Sequence, residues 1–286
     1  MGGGGARGYA HIGVIKALHE SGIIPDLIAG TSMGAVIGAM YAQTLDPAVV
    51  RNKVLNFIAS EDFRSMDLDS FKHNRRVDSF FGDALNRPED RIIIDLHGSQ
   101  LSLFKQEKFV KALDYYLDDG NIADTKIKLG MVAADLNSGE KVVLLEGDIK
   151  ISALASGSIP GFLPPVQYQG KTLVDGEIVE LIPCTTAKKL GGNFIIAVDV
   201  RQEIEKNPHI ENALDVFFRA NQIKSKILSD ITLNANIVIQ PEIGKYHWTE
   251  FEKAEELMDI GYQAGLSKIG QIKSKILKKK RKSGGS

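Results

Sequence analysis

Apolar residues recur along this chain at helix-like and strand-like intervals in turn. Residues 9–21 carry apolar side chains at helical spacing and stop at Gly22, which predicts a mostly buried helix. Residues 27–29 form a short apolar run that predicts a buried strand, and the alanine-rich residues 33–42 predict the next helix. The chain is therefore expected to begin with a helix, a strand and a second helix joined by short turns.

The same signals alternate over the rest of the chain. Further helices are predicted at residues 46–59, 105–117, 148–155, 250–269 and from about 210. Strands are predicted at residues 126–134, 141–145, 170–174, 193–200 and 230–240. The continuous apolar run within 193–200 is typical of a buried parallel strand. Residues 60–104 are polar with scattered aromatic side chains, a pattern that fits either a lid over a site or a surface excursion.

Composition limits the possible functions only broadly. The 286 residues are 43% hydrophobic and 25% charged with a net charge of −1, which is ordinary for a globular protein and argues against broad nucleic-acid binding. This length suits one large α/β domain or two small ones. Cys184 is the only cysteine, which excludes an internal disulfide and fits a reducing compartment. No apolar run approaches the ~18 residues of a membrane span, and no secretory signal is visible, so a cytoplasmic location is expected.

Ser32 lies between the first predicted strand and the helix that follows it, in the sequence Gly30-Thr31-Ser32-Met33-Gly34. A serine on such a turn adopts a sparsely populated backbone conformation, and glycines two residues before and after it remove the clashes. The N-terminus of the next helix favours negative charge at the serine. The G-x-S-x-G pattern also occurs by chance in glycine-rich turns, but its strand–turn–helix context is that of a nucleophile.

A glycine loop, residues 2–8 with the sequence GGGGARG, precedes the first predicted helix. Consecutive glycines at a helix N-terminus leave several N–H groups unpaired and able to point at an anion. We therefore predict an oxyanion-binding loop, in which Arg7 either assists the anion or braces the loop. A nucleophile and an anion site together indicate acyl transfer.

Two other interpretations fit parts of this region. The loop also matches the G-x-G-x-x-G dinucleotide fingerprint, which requires an acid near the end of the second strand. Asp26 instead precedes the apolar part of that strand, and a nucleotide site leaves Ser32 unexplained. A triad of Ser32, Asp175 and His247 has the chain order of an α/β-hydrolase. Several strands precede the serine in that fold, however, and the sequence around His247 favours a capping or surface histidine.

Asp175 follows a short predicted strand and precedes Gly176. A carboxylate within ~2.6–3.2 Å of a serine oxygen accepts its proton directly, and partial burial raises the carboxyl pKa towards that role. An Asp-Gly turn in a hairpin is the alternative, and the local sequence alone favours the turn. None of the six histidines has a local context that marks it as a catalytic base.

Four segments in chain order, residues 2–8, 30–34, 155–165 (ASGSIPGFLPP) and 175–176, resemble those of the bacterial patatin-like phospholipases. The similarity runs from residue 2 to about residue 200. It implies an α/β fold, a three-layer α/β/α sandwich around a mainly parallel sheet. It also implies a Ser-Asp dyad without histidine, a glycine loop that serves as the oxyanion hole, and acyl esters of lipids as substrates.

Carried onto this sequence, the resemblance makes Ser32 the nucleophile and Asp175 the base. The implied oxyanion hole consists of Gly4, Gly5 and Ala6, with Arg7 at the family's basic position. The remaining motif glycines are Gly3, Gly8, Gly30, Gly34 and Gly176. The implied function is hydrolysis of carboxylic esters of phospholipids or related lipids through an acyl-enzyme, without a metal or organic cofactor.

Two features depart from the family's pattern. Glu177 follows Gly176 where the family has glycine or alanine, so a second carboxylate either raises the proton affinity of Asp175 or points to solvent. The family also has an apolar strand before the glycine loop, whereas this sequence begins at Met1. Either that strand is missing or another element fills its place. These departures leave a second function open, a catalytically weak regulatory or lipid-binding module on the same scaffold.

Residues 271–286 are expected to form a basic tail and linker after a catalytic domain at residues 1–270. Lysines and an arginine are interspersed there with Ile272, Ile276 and Leu277. A basic amphipathic end can dock on an anionic membrane surface, at roughly 1 kcal/mol per basic residue. A solvated, frayed terminus is the other interpretation. The expected partners are thus a lipid or ester substrate and, through the tail, a membrane surface, with no nucleic acid.

Overall fold

The structure, a computed structural model, describes residues 1–66, 106–201, 210 and 213–283. Its helices are α1 (Ala10–Glu20), α2 (Met33–Thr44), α3 (Pro47–Ala59), α4 (Glu61–Ser65), α5 (Glu107–Tyr116), α6 (Ile149–Ser156), α7 (Glu177–Glu180), α8 (Cys184–Lys189), α9 (Ala213–Thr232) and α10 (Ala254–Ser283). Its strands are β1 (Leu27–Thr31), β2 (Lys128–Asp135), β3 (Lys141–Leu144), β4 (Val166–Tyr168), β5 (Lys171–Asp175), β6 (Ile196–Val198) and β7 (Ile237–Ile239). Most of the predicted lid or surface segment at 60–104 lies outside the described residues.

Side-chain caps fix where several helices begin. Asp46 accepts hydrogen bonds from the N–H groups of Ala48 and Val49 at 2.8 and 3.4 Å, and so caps α3. Asp148 caps α6 by accepting from the Ile151 N–H at 2.8 Å. The starts predicted for these two helices are confirmed.

The strands form one mixed sheet and one parallel pair. β1 pairs in parallel with β2, so that Leu27 lies opposite Lys128 and Thr31 opposite Val132. β2 also pairs antiparallel with β3 and β5, and β5 pairs antiparallel with β4. β6 and β7 form the parallel pair. The α/β class is confirmed, but the larger sheet is mixed rather than mainly parallel because tight turns after β2 and β4 return the chain along the preceding strand.

Helices cover both faces of the larger sheet. In β1, Ile28 packs into the main core with residues of α1, α2 and α3. Its neighbours Leu27 and Ala29 pack instead with Ile182 and Cys184. Successive side chains of a strand point to opposite faces, so the two clusters lie on opposite sides of the sheet. The three-layer α/β/α arrangement is therefore confirmed.

The first residues of the chain join the two sets of strands. The Met1 nitrogen donates to the Ala29 carbonyl at 2.9 Å, and the Thr31 N–H donates to the Met1 carbonyl at 3.2 Å, which is a parallel pairing with β1. The Gly2 N–H donates to the Val198 carbonyl of β6 at 3.1 Å. These residues therefore occupy the position between β1 and β6, and the glycine loop leaves from there.

Several predicted boundaries are wrong. Residues 230–232 belong to α9, because the Leu233 N–H still donates to the Ser229 carbonyl at 2.7 Å, and β7 is much shorter than the predicted strand. β6 is likewise shorter than residues 193–200. α4 forms within the segment expected to be irregular because Ser60 caps it, accepting from the Phe63 N–H at 3.1 Å. No sequence pattern predicts α7, α8 or β4.

α10 continues through residue 270, where the tail was predicted to start, and reaches Ser283. Ile272 is fully buried and Ile276 packs against the main core. Lys275 Nζ donates to the Asn236 carbonyl at 2.8 Å. This segment is thus an ordered continuation of the helix rather than a frayed terminus. None of the helices in the described part of the chain combines the length and apolar character needed to cross a bilayer.

Candidate active site

Ser32 occupies a strained turn between β1 and α2. Its backbone has φ 54° and ψ −129°, a conformation that residues with a Cβ rarely adopt. Gly30 permits the turn because a Cβ at this position would lie 2.5 Å from the Cα of Ala35. α2 begins at the next residue, Met33, so its free N–H groups favour negative charge at the serine. The predicted strand–turn–helix geometry around Ser32 is confirmed.

Ser156 holds the backbone of this turn. The Ser32 N–H donates to Ser156 Oγ at 3.0 Å, and Ser156 Oγ donates to the Val132 carbonyl at 2.6 Å. The hydroxyl therefore ties the turn to β2, which pairs with β1. Ser156 lies in one of the segments that carry the resemblance, but no sequence motif assigns it a role of its own.

Asp175 is the last residue of β5 and is fully buried. Its N–H donates to the Ser158 carbonyl at 2.9 Å, and its Oδ1 accepts from the Glu177 N–H at 2.8 Å. The Ser32 side chain lies at this carboxyl, near enough to act on its pKa by hydrogen bonding. The other oxygen, Oδ2, meets no well-aligned donor within the described residues. An oxygen in that state can accept the serine proton once substrate draws the two groups together.

The surroundings of Asp175 raise its proton affinity. Burial raises the pKa of its carboxyl to about 8, and the negative charge of Glu177 adds to the rise. Hydrogen bonds from Ser32 and from the Glu177 N–H act in the opposite direction. A carboxyl with a pKa in this range is a stronger base than an ordinary aspartate and still ionises near neutral pH, which suits general-base catalysis.

The glycine loop leads into a short 3-10 helix, Gly5–Tyr9. The N–H groups at its start have no acceptor within the helix. The Ala6 N–H donates to the Trp248 carbonyl at 2.8 Å, so the prediction that Ala6 is an oxyanion donor is wrong in this structure. Gly5 has φ 57°, and a Cβ there would lie 2.5 Å from the Trp248 oxygen, so a larger residue does not fit. For Gly4 and Gly5 the oxyanion role stays a prediction.

The other motif glycines lie where these segments meet. A Cβ on Gly3 would lie 3.1 Å from the Ser32 Cβ, which puts the glycine loop directly against the candidate nucleophile. Added Cβ atoms on three further glycines would lie within 2.4 Å of Met33, Met1 and Val132 respectively; these are Gly8, Gly34 and Gly176. The glycine loop, the Ser32 turn and the Asp175 turn therefore converge at one place.

A cleft of about 430 Å³ opens beside the glycine loop, with Arg7, Glu177 and Trp248 in its wall. Arg7 is only 8% exposed, and its Nη1 lies 3.5 Å from the Tyr246 carbonyl oxygen, which supports the loop-bracing interpretation. Burial lowers the pKa of the Arg7 guanidinium to about 10, and the charge of Glu177 opposes this, so Arg7 is cationic at neutral pH. Neither this cleft nor a larger cavity of about 560 Å³ between β1 and β6 is lined by Ser32 or Asp175.

Two histidines have structural roles near these segments. His11 Nε2 lies 2.7 Å from the Gly2 carbonyl oxygen. Burial lowers the pKa of the His11 imidazole to about 3, so the ring is neutral and donates this bond, which holds the glycine loop. His247 Nδ1 lies 2.7 Å from Thr249 Oγ1, and the backbone N–H of His247 donates to the Glu250 carboxylate. These contacts agree with the capping interpretation of His247 rather than with the triad.

The acidic residues around the site do not form a metal centre. Within the described ranges, no group of three or more His, Cys, Asp or Glu side chains could hold a metal ion. Glu180, the other fully buried carboxylate in this part of the chain, binds Lys141 Nζ at 2.7 Å and the hydroxyls of Thr185 and Thr186 at 2.5 Å. Glu180 therefore forms a structural ion pair with Lys141.

Comparison with known proteins finds similar sequences and a solved structure. The lysophospholipase nte1 of Aspergillus fumigatus is 27% identical over 96% of this chain and 18% of its own length. The human patatin-like phospholipase domain-containing protein 6 is 26% identical over 94% of this chain and 20% of its own length. The chain thus spans about a fifth of the length of these curated relatives. The solved structure of VipD from Legionella pneumophila aligns over 94% of this chain and 66% of its own, with a TM-score of 0.43 and 16% identity.

The family assignment comes from a match that contains both Ser32 and Asp175. The family model described as patatin-like phospholipase matches residues 1–188, which is more than half of the chain. The resemblance seen in the four segments is confirmed at the level of the family, and the bacterial branch stays a prediction. The chain belongs to the patatin-like phospholipase family.

Proposed function

We propose that this chain is a serine lipid acyl hydrolase that cleaves carboxylic esters of phospholipids or related lipids through an acyl-enzyme. The observation that carries the proposal is a strained serine, Ser32, beside a buried carboxyl, Asp175, whose Oδ2 meets no well-aligned donor among the described residues. Backbone strain and an unsatisfied buried carboxyl both destabilise a fold. Ser32 and Asp175 do not line the 430 Å³ cleft themselves, but Gly3 and Glu177, which lie against them, do. A catalytic role accounts for the two features occurring together behind the wall of a cleft.

In the proposed reaction, Ser32 Oγ attacks the ester carbonyl while Asp175 accepts the hydroxyl proton. The N–H groups of Gly4 and Gly5 stabilise the oxyanion, and the start of α2 adds a favourable field. The intermediate collapses as its C–O bond to the alcohol breaks, and the alcohol leaves with the proton from Asp175. Asp175 then activates a water molecule, which releases the fatty acid and regenerates the serine. No metal or organic cofactor takes part.

The proposed substrate class rests on the relatives. The family is described as phospholipases, and the Aspergillus fumigatus relative is named a lysophospholipase. Glycerophospholipids with one or two acyl chains are therefore the first substrates to test. Release of free fatty acid from each class, measured on a folded sample, separates a preference for one-chain substrates from a preference for two-chain substrates.

An active-site fluorophosphonate tests the nucleophile. We expect the wild-type chain to be labelled and Ser32→Ala to remain unlabelled, with the same circular dichroism spectrum. Ser267→Ala removes an exposed hydroxyl on α10 and is the matched control, which should be labelled like the wild type. Equal labelling of Ser32→Ala and the wild type would defeat the proposal and favour the catalytically weak module.

The proposal extends to peripheral membrane contact through the end of α10. Lys273, Lys278 and Arg281 are exposed there, while Ile272 faces the core, so we expect binding by charge rather than by insertion. The full chain should sediment with vesicles that contain anionic lipid and remain in solution with zwitterionic vesicles. Changing the three basic residues to glutamine should abolish sedimentation. Unchanged sedimentation of that variant would remove the end of α10 from the proposal.

A further inference from the structure

Glu177 lies between the candidate base and the glycine loop. It is the first residue of α7, directly after the Asp175 turn, and its N–H donates to Asp175 Oδ1 at 2.8 Å. Its side chain is half-buried and lines the 430 Å³ cleft together with Arg7 and Ser225. Glu177 therefore touches the candidate base through its backbone and meets the cleft through its carboxylate.

The charged groups that line the cleft with Glu177 come from the glycine loop, from α9 and from Arg201 after β6. Arg201 is paired with Asp199 and Asp230. Lys226 is also paired with Asp230.

Arg7 belongs to the glycine loop, and Lys224 and Ser225 belong to α9. Burial raises the pKa of Glu177, whereas the charges of Arg7 and Lys224 and a hydrogen bond from Ser225 lower it. The charge that acts on Asp175 is that of Glu177. Two carboxyl groups thus share a largely dry site with one nearly buried guanidinium.

We propose, building on the function proposed above, that Glu177 is a positioning residue whose negative charge holds a proton on Asp175 and so sets the pH above which Ser32 is activated. Asp175 and Glu177 are two residues apart in one turn, and the Glu177 N–H donates to Asp175 Oδ1. Two carboxyl groups held near each other in this way give up their first proton more readily than their second. Arg7 and Lys224 stabilise the charge of Glu177, so the retained proton resides on Asp175. Below the threshold Asp175 cannot accept the serine proton, and above it the carboxylate can.

A structural role for Glu177 predicts different behaviour. The bond to Asp175 Oδ1 comes from the backbone of Glu177, so a change of side chain leaves that bond in place. Glu177→Gln keeps the length of the side chain and an oxygen that can accept from Ser225, and it removes only the charge. Any change in the pH profile of this variant therefore reports the charge rather than the shape.

The first experiment is the pH dependence of kcat/KM for a short-chain p-nitrophenyl ester, measured with the full chain. We expect Glu177→Gln to move the acidic limb to lower pH by about one unit, which makes the variant up to ~10-fold faster than the wild type on that limb. Lys224→Gln removes a positive charge that stabilises the ionised form of Glu177, so it weakens the charge of Glu177 and should move the limb in the same direction, by less. Glu140→Gln removes an exposed charge elsewhere and should leave the limb unchanged.

An unshifted limb in Glu177→Gln overturns the proposal, and so does a loss of rate by the same factor at every pH, which is what a merely structural role predicts. Should Glu177→Gln fail to fold, the smaller downward shift in Lys224→Gln decides the question, and an unshifted or upward-shifted limb there overturns the proposal.

A second measurement does not depend on turnover. The carboxyl carbon of Asp175 can be titrated by carbon-13 NMR in aspartate-labelled protein, with the resonance assigned by its absence from Asp175→Asn. Its midpoint should fall in Glu177→Gln, and an unchanged midpoint overturns the role of Glu177. If the wild type hydrolyses no ester at any pH, the proposed function fails, whereas this titration still decides whether Glu177 controls the proton on Asp175.

Discussion

Asp175 and Glu180 lie at the two ends of one short stretch of chain, and both are fully buried, but their surroundings are opposite. Glu180 accepts hydrogen bonds on both oxygens from Lys141, Thr185 and Thr186, at 2.5 to 3.3 Å. Asp175 accepts from the Glu177 N–H on one oxygen, and its other oxygen meets no well-aligned donor within the described residues.

The pKa values follow from this difference. Burial raises the pKa of both carboxyl groups, but at Glu180 the hydrogen bonds from Lys141, Thr185 and Thr186 outweigh burial and the pKa is lowered. At Asp175 burial dominates and the pKa rises to about 8. A buried carboxylate with satisfied oxygens stabilises the fold, whereas one with an unsatisfied oxygen has a high affinity for a proton. Donors, rather than residue type or burial, separate the structural carboxylate from the candidate base.

The largest expected difference between Asp175 and Glu180 is in catalysis. Asp175→Asn keeps an acceptor for the Glu177 N–H but cannot take the serine proton, so steady-state ester hydrolysis should fall by ~10²–10⁴-fold. Glu180→Gln is the matched change from acid to amide. The rate of ester hydrolysis per folded molecule of this variant should fall by less than about tenfold. Full turnover in Asp175→Asn would show that another group is the base.

The order should reverse for stability. Glu180→Gln presents an amide NH₂ group to Lys141 and to threonine hydroxyls, so the free energy of unfolding should fall by about 2–4 kcal/mol. Asp175→Asn removes a poorly satisfied buried carboxyl and should leave stability unchanged or higher near neutral pH. Urea unfolding of both variants at one pH measures the difference. Equal losses of unfolding free energy in the two variants would contradict the distinction between the two carboxylates.

Sequence patterns predict one side of this comparison much better than the other. The local motif around Ser32 predicts the strained turn, because its flanking glycines and its strand–turn–helix context are those of a nucleophile. The local sequence of Asp175 favours an ordinary Asp-Gly turn, so its role as the base is predicted only through the resemblance to the family. Glu180 lies in no such motif. Its lysine partner is 39 residues away on β3, and only the folded sheet brings the two together.

Contacts between distant segments also limited the prediction of the oxyanion loop and of the strands. The Trp248 carbonyl occupies the Ala6 N–H, and nothing in the sequence near Ala6 indicates this. Ile231 and Thr232 are both β-branched, and β-branched residues favour a strand. Both lie in α9, where the Thr232 hydroxyl bonds to the Leu228 carbonyl at 2.9 Å, so the helix prevails over the local preference.

A smaller effect should appear in the pH dependence of stability. The pKa of Asp175 is raised to about 8 in the fold, so the folded protein keeps a proton that the unfolded chain releases. This stabilising contribution is fully present below about pH 4 and is lost as the pH rises through about 8. Asp175→Asn lacks the titration, so its stability relative to the wild type should increase between about pH 5 and 8, by roughly 1.4 kcal/mol per pH unit. Urea unfolding at several pH values measures the trend, and a constant difference would contradict the raised pKa.

The smallest effect is expected at Ser156, whose hydroxyl holds the backbone of the Ser32 turn. Ser156→Ala removes both the acceptor of the Ser32 N–H and the donor to the Val132 carbonyl. Stability should fall by about 1–2 kcal/mol and kcat by roughly tenfold, with little change in KM, because Ser156 acts only through the position of Ser32.

Ser152 supplies the control for this prediction. It lies on the same helix, α6, is fully buried, and its hydroxyl has no hydrogen-bond partner in the part of the chain that is described. Ser152→Ala should therefore be neutral or slightly stabilising and leave kcat unchanged. If the two variants behave alike in urea unfolding and in ester hydrolysis, the Ser156 hydroxyl does not position the turn. The strained backbone of Ser32 would then depend on the close packing at Gly30 and Gly34 alone.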